Sequence, residues 1–374
     1  GGSRLPLESQ TSEMSASKAD DAALYPCRID DPFLLSLHPT VRHTFAWVFV
    51  TLLASMYYLL PATVLVSLAL ATCGHVTTAA AIGLVLLGGS LLPLHERPYT
   101  RRLCQVYYEL FRLRHNLTQE RIRRLVEDCV ERGERYILGM HPHGVVPLQV
   151  LLWVAFADQY LRTPEHGTVY GFGGMASVIC YLPGLRTLMG WWTGMPATYS
   201  NLKRNLTSGC GATFTRAKHP GRNLYMLPGG VAEIFTAQPA RHVAVWKPRR
   251  GLCRLALETG ARLTPMYVFG GNDFYFQSLT SDSWLARTSR SFGCSVTLFW
   301  GRWWWLPTVP LTPPHGCTIA IAEPLPSRRA AAADGRPSDD EVEALHAEYE
   351  RALVEVFDQY KAAAGYPDAE LTVL

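Results

Sequence analysis

The sequence predicts an α/β protein, with a mixed, largely parallel sheet flanked by helices and an apolar helical hairpin in front of it. Three observations predict this. Short β-branched and aromatic runs alternate with helical runs after residue 95, the pattern of strands joined by helical crossovers. Residues 44–94 contain no Asp, Glu, Lys or Arg, whereas a helix needs only ~20 apolar residues to cross a hydrocarbon core ~30 Å thick. The whole chain is 48% hydrophobic and 18% charged, below the ~25% charged residues of an average soluble domain.

Residues 1–23 are small and polar and read as a disordered tail. The apolar stretch comes too late for a secretory leader. Residues 24–94 read as a membrane hairpin, with spans at about 45–70 and 77–94 and a turn at Ala71-Thr72-Cys73-Gly74-His75. Pro61 is tolerable in a bilayer helix. Arg42 flanks one end, and Arg97, Arg101 and Arg102 flank the other. The positive-inside rule therefore puts both ends in the cytosol. The competing reading is a buried core helix pair of a soluble fold. Whether the hairpin crosses the bilayer or only dips into one leaflet stays open at this point.

Residues 95–374 form the globular part. Thr118 caps a helix, with Leu117 and Ile122 at the spacing of a hydrophobic staple and Gly133 behind it. A strand at 135–140 runs into His141, and residues 145–160 read as a buried helix. Further strands are expected at 168–172, 224–227, 263–269 and 316–322, and a helix at 252–259 ending at Gly260. Ser338-Asp339-Asp340-Glu341 is a capping box. Val342, Leu345, Tyr349, Ala352, Val356 and Tyr360 follow it at helical spacing. No internal repeat is visible.

The net charge is +4. This suits an anionic membrane surface or a phosphorylated co-substrate, and no basic run suggests nucleic acid. The nine cysteines are odd in number and form no CxxC pair, which argues against a disulfide scaffold or a zinc ribbon.

Four segments could carry chemistry. In His141-Pro142-His143-Gly144 an imidazole at a strand end can take a proton from a hydroxyl at neutral pH. The pair could also be metal ligands, but no HExxH or nearby carboxylate completes a site, and it could simply cap a turn. Pro228-Gly229-Gly230-Val231-Ala232-Glu233 follows a strand. The backbone N–H groups of Gly144, Gly229 and Gly230 could hold an oxyanion, and Glu233 could orient a histidine. An ordinary turn with a solvated glutamate is the alternative. Lys247, Arg249, Arg250 and Arg254 gather at a helix start and could bind the phosphates of a phosphorylated co-substrate. A solvated loop or lipid headgroups suit them equally. Gly171-Phe172-Gly173-Gly174-Met175 matches no nucleotide fingerprint. Trp191-Trp192 and Trp303-Trp304-Trp305 could sit at a membrane interface or in a core. The sequons at Asn116 and Asn205 read as chance. No GxSxG occurs, so a serine hydrolase ranks last.

In order, Tyr136-Ile137-Leu138-Gly139-Met140-His141-Pro142-His143-Gly144, Pro228-Gly229-Gly230-Val231-Ala232-Glu233 and the segment from Arg250-Gly251-Leu252-Cys253-Arg254 to Tyr267-Val268-Phe269-Gly270 resemble the type-2 diacylglycerol acyltransferase family. That family also holds monoacylglycerol acyltransferases and wax synthases. The resemblance runs from about residue 94 to the C-terminus. It implies a glycerolipid-acyltransferase-like fold and transfer from acyl-CoA to diacylglycerol at the endoplasmic reticulum and lipid droplets, with a cytosolic catalytic domain. It implies no metal and no cofactor beyond acyl-CoA as co-substrate, and it leaves homo-oligomerisation open. The family's histidine pair falls on His141 and His143, and its glutamate on Glu233. The HxxxxD acid of related enzymes is absent, since Val146 and Leu148 stand at those positions, so Glu233 is expected to orient His143. Leu252, Thr264 and residues 237–246 depart from the family pattern. The expected chemistry is direct transfer with His143 as base. The alternatives are a monoacylglycerol or fatty-alcohol acceptor, or a non-catalytic lipid-droplet protein.

Overall fold

The structure is a computed structural model and describes residues 22–92, 95, 97–163, 167–168, 172–208, 223–293 and 295–374. The tail at 1–21, the expected end of the hairpin at Leu94, most of the expected strand at 168–172, and Gly171 lie outside the described residues.

Eight strands make the main sheet: β1 (Tyr25–Pro26), β2 (Arg114–His115), β3 (Tyr136–His141), β4 (Phe172–Met175), β5 (Gly194–Pro196), β6 (Leu224–Met226), β7 (Arg262–Phe269) and β8 (Thr318–Ile321). Their order is β1-β2-β8-β7-β3-β6-β4-β5. The run β7-β3-β6-β4-β5 is parallel throughout, and β8 joins β7 antiparallel. The sheet is therefore mixed with a parallel centre, as expected. A central parallel strand is covered on both faces, and β3 and β7 are buried almost end to end.

The helices that matter for the site are α1 (Pro39–Thr72), α2 (Val76–Leu91), α3 (Gln119–Val130), α4 (Gln149–Tyr160), α5 (Gly230–Ile234), α6 (Gly251–Thr259) and α7 (Asp339–Ala364). α4 starts four residues later than the sequence suggests, because residues 145–148 form the turn that leaves the His143 loop. α3 and α4 contribute to one core cluster, with Met140, Trp153 and Phe156. α6 and α7 contribute to the other, with Leu255, Tyr349 and Phe357. The side chain of Thr118 accepts from Arg121 N–H as an N-cap, and the capping box of Ser338 and Glu341 is complete. Ser338→Ala is expected to lower stability by ~1 kcal/mol, read as a lower unfolding midpoint. An unchanged midpoint would mean that α7 is held by its packing alone.

α1 is one continuous helix through Pro61, and by length and composition it is the only described helix able to cross a membrane. α2 has 16 residues, short of the ~20 a crossing needs. The N-terminal half of α1 belongs to the domain: Ala46, Val50, Leu53 and Ala54 are buried in the first cluster. Three of the four arginines read as topological signals pair with carboxylates of the fold. Arg42 donates from Nε and Nη2 to Glu109 at 3.1 and 2.9 Å and from Nη1 to the Leu34 and Leu37 carbonyls. Arg101 and Arg102 both face the buried carboxylate of Asp158, at 3.2 and 3.4 Å. Arg42 thus ties the start of α1 to Glu109, and Arg101 and Arg102 tie the segment after the hairpin to α4, which the sequence could not show. The sequon side chain of Asn116 is likewise consumed, bonding the backbone of Ile321 in both directions at 2.9 Å.

Candidate active site

β3 and β6 are adjacent and parallel, so their carboxyl ends open side by side, the usual place for working residues in such sheets. The end of β3 carries His141, Pro142, His143 and Gly144. The end of β6 carries Pro228 and Gly229, then α5 with Glu233. Register therefore brings together residues 90 positions apart.

Glu233 is buried, and three donors point at it. His141 Nδ1 lies 2.8 Å from Oε1, and Val245 N–H donates to the same oxygen at 2.8 Å. His143 N–H donates to Oε2 at 2.6 Å. A carboxylate accepts all three. The expectation that Glu233 orients the ring of His143 is corrected here: it holds the ring of His141 and the backbone of His143. His141 is completely buried, edge-on to Trp246 and Tyr349 at ring separations of 6.3 and 6.2 Å. Its Nε2 has no partner among the described residues. Enclosed in this way, the ring makes its described hydrogen bond to Glu233.

Unlike His141, His143 is only partly buried. Its Nδ1 lies 3.0 Å from the Gly144 carbonyl. A carbonyl can only accept, so Nδ1 carries the proton and the lone pair resides on Nε2. Burial lowers the pKa of this imidazole below its ordinary 6.5, opposed by the Gly144 carbonyl and the charge of Glu233. The ring is thus neutral, and a base, at neutral pH. A lowered value means that protonation waits for lower pH. The acid limb of kcat/KM is expected below pH 6.5, and a pH–rate profile with its limb at or above that value would contradict the assignment.

Gln149, at the start of α4, was missed by the sequence reading. Its Nε2 donates to the Pro142 and His143 carbonyls, both at 2.6 Å, and so clamps the loop. The only signal available was a polar residue opening a helix that is then apolar through Ala157. Gly144 has φ +67°, and a Cβ there would lie 2.7 Å from the Gly271 carbonyl. Gly229 is required for another reason, since its Cβ would fall 2.0 Å from Cδ of Glu233. Below the loop, Tyr349 of α7 donates to the Gly139 carbonyl at 3.1 Å and stacks on Trp246 at 3.9 Å.

Of the three expected oxyanion glycines, Gly230 is excluded, because its N–H already donates to the Leu227 carbonyl at 3.1 Å. The cation cluster is also mostly engaged. Arg250 pairs with Glu343 at 2.7 Å and Arg254 with Asp339 at 3.0 Å, both on α7. Arg249 Nη2 donates to the Gly229 carbonyl at 2.7 Å. Lys247 is exposed and makes no ion pair among the described residues. Trp192 is core, while Trp303, Trp304 and Trp305 are exposed. A shallow surface groove of about 70 Å³ beside Arg121, Arg124 and Arg262 lies at the opposite, amino end of β7 and takes no part in this site.

The model of the diacylglycerol acyltransferase family matches residues 119–374. The chain is 30% identical over 255 residues to diacylglycerol O-acyltransferase 2-like protein 6 of Homo sapiens, covering 64% of this chain and 70% of that protein. It is 29% identical over 261 residues to diacylglycerol O-acyltransferase 2 of Bos taurus, covering 64% of each. It is 29% identical over 251 residues to 2-acylglycerol O-acyltransferase 3 of Homo sapiens, covering 62% of this chain and 66% of that protein. The matched segment thus spans less than two thirds of the second and third relatives' own lengths. No solved structure matches the chain. Because the family match takes in both the histidine loop and Glu233 and covers more than half of the residues, the chain belongs to the diacylglycerol acyltransferase family, a family of acyltransferases.

Proposed function

We propose that the protein transfers a fatty acyl group from acyl-CoA to the free hydroxyl of diacylglycerol, giving triacylglycerol, by direct transfer at His143. The observation that carries this reading is the partly buried ring of His143 at the carboxyl end of β3, with Nδ1 tied to the Gly144 carbonyl so that Nε2 holds the lone pair, and the backbone fixed by Glu233 and Gln149. Nε2 takes the hydroxyl proton as the acceptor oxygen attacks the thioester carbonyl carbon. The tetrahedral oxyanion is held by backbone N–H groups, with Gly144 the nearest candidate and Gly229 the second. The C–S bond then breaks, and the CoA thiolate recovers the proton from the imidazolium. No acyl-enzyme forms. Lys247 is the cation available to the phosphates of CoA, with Arg249, Arg250 and Arg254 behind it. We place the catalytic domain on the cytosolic face of the endoplasmic reticulum and on lipid droplets, with the greasy acceptor arriving through the bilayer beside α1. The glycerolipid-acyltransferase-like fold belongs to the same reading.

A monoacylglycerol acceptor is the second reading. It is favoured by a 2-acylglycerol O-acyltransferase among relatives of nearly equal identity. Microsomes given radiolabelled acyl-CoA with both acceptors in competition decide between them. Label in triacylglycerol, blind to added monoacylglycerol, supports the first. Label in diacylglycerol overturns it in favour of the second.

A further inference from the structure

We propose that the loop carrying Trp303, Trp304 and Trp305 is an interfacial anchor that seats the domain on one leaflet of a phospholipid bilayer, at the level where α1 leaves the domain. The three indoles are 43%, 84% and 65% exposed. Trp303 and Trp305 stack on each other, with centroids 5.5 Å apart and planes 15° apart. Three consecutive water-exposed indoles make an apolar patch that a soluble surface seldom carries. An indole is suited to the boundary between headgroups and acyl chains, with its apolar body on one side and its N–H toward water.

The occupant is identified by what the loop is built on. The segment containing it packs along α1. Phe299 N–H donates to the Tyr58 hydroxyl at 2.8 Å, and the Ser55 hydroxyl meets that of Thr308 at 2.9 Å. Arg302 lies over the ring of Trp47 at 5.1 Å, so a cation flanks the indoles where lipid phosphates would lie. The patch is therefore continuous with the apolar face of α1, where Leu52 and Leu59 are each 58% exposed.

Helix length supplies a second, independent argument. Burial on α1 ends at Ala54, and the last domain hydrogen bond is at Tyr58. On α2, the Ser90 hydroxyl donates to the Tyr181 carbonyl at 2.6 Å. Beyond those contacts each arm is about 14 residues long, or roughly 21 Å at 1.5 Å per residue. A hydrocarbon core is ~30 Å thick. The projecting hairpin is too short to cross unaided while the domain stays in bulk water. It fits a hairpin that enters and leaves through one leaflet, with the tryptophan loop marking the water boundary.

The test uses the full chain in phosphatidylcholine liposomes. The acyl chains carry bromine either near the ester or near the terminal methyl, and tryptophan emission is read. Shallow bromines should quench more than deep ones. Replacing Trp304 and Trp305 by Phe should remove at least half of that excess, and Trp304→Ser alone, at the most exposed position, should remove part of it. Equal shallow quenching in wild type and both variants overturns the proposal. So does protection of the indoles that grows with protein density rather than with lipid, which would assign the loop to a second copy of the chain.

Discussion

Replacing His143 with Ala is expected to lower kcat/KM for acyl transfer by roughly 10²–10⁴-fold while leaving the protein folded and membrane-bound. The ring contributes little to the fold. It is only partly exposed, and its one described hydrogen bond is Nδ1 to the neighbouring Gly144 carbonyl. One such bond contributes about 1 kcal/mol. The loop backbone is held by other groups, the Glu233 carboxylate at 2.6 Å and the Gln149 amide at 2.6 Å, and these remain when the ring is gone. Binding of the thioester and any backbone oxyanion donors also remain, so a residual rate above background is expected. His141→Ala is the informative contrast. That ring is fully buried and bonded to Glu233, so its loss should appear first as a lower unfolding midpoint. Turnover by the His143 variant near that of the wild type, measured with radiolabelled acyl-CoA, would remove His143 from the chemistry.

The parts of this fold that were legible in the sequence are those set by local physics. The capping box before α7, the Thr118 cap and the buried strand leading into His141 follow from spacing and residue type, and the structure contains each of them. Strands of two or three residues, such as β2 and β5, carry no period to read and appear only through their pairing. The site was legible as an inventory but not as a wiring diagram. His141, His143 and Glu233 stand out as residue types at strand ends. Which nitrogen the carboxylate meets depends on the register between β3 and β6, which no local pattern encodes. The partners of the arginines were hidden for a related reason. Arg42, Arg101, Arg250 and Arg254 look like free charges along the chain, and each finds a carboxylate between 57 and 93 residues away. Long-range pairing engages part of the charge that sequence reasoning assigned to membrane topology and to CoA, while Lys247 makes no ion pair among the described residues.

Glu233→Gln carries the second large effect, and its direction follows from donor and acceptor counting. Wild-type Glu233 meets N–H donors at both oxygens, Val245 and His141 at Oε1 and His143 at Oε2. An amide replaces one oxygen with an NH₂ group, so in either orientation a donor faces a donor in a site closed to water. Leaving a buried N–H unpaired costs about 1–3 kcal/mol, which should lower the unfolding midpoint without abolishing folding. If the NH₂ faces His143 N–H, the backbone that carries the base shifts. A misplacement of the order of 1 Å costs roughly 10²-fold in rate, so kcat should fall more than KM rises. The pH profile separates this positioning role from simple destabilisation. The charge of Glu233 raises the pKa of His143 against the lowering effect of burial. Removing that charge leaves burial less opposed, so the imidazole should protonate at still lower pH. The acid limb of kcat/KM should therefore move down, and the variant should keep its residual activity into more acidic buffer than the wild type does. A limb that stays in place, or moves up, would show that the carboxylate does not act on His143, whatever the loss in stability.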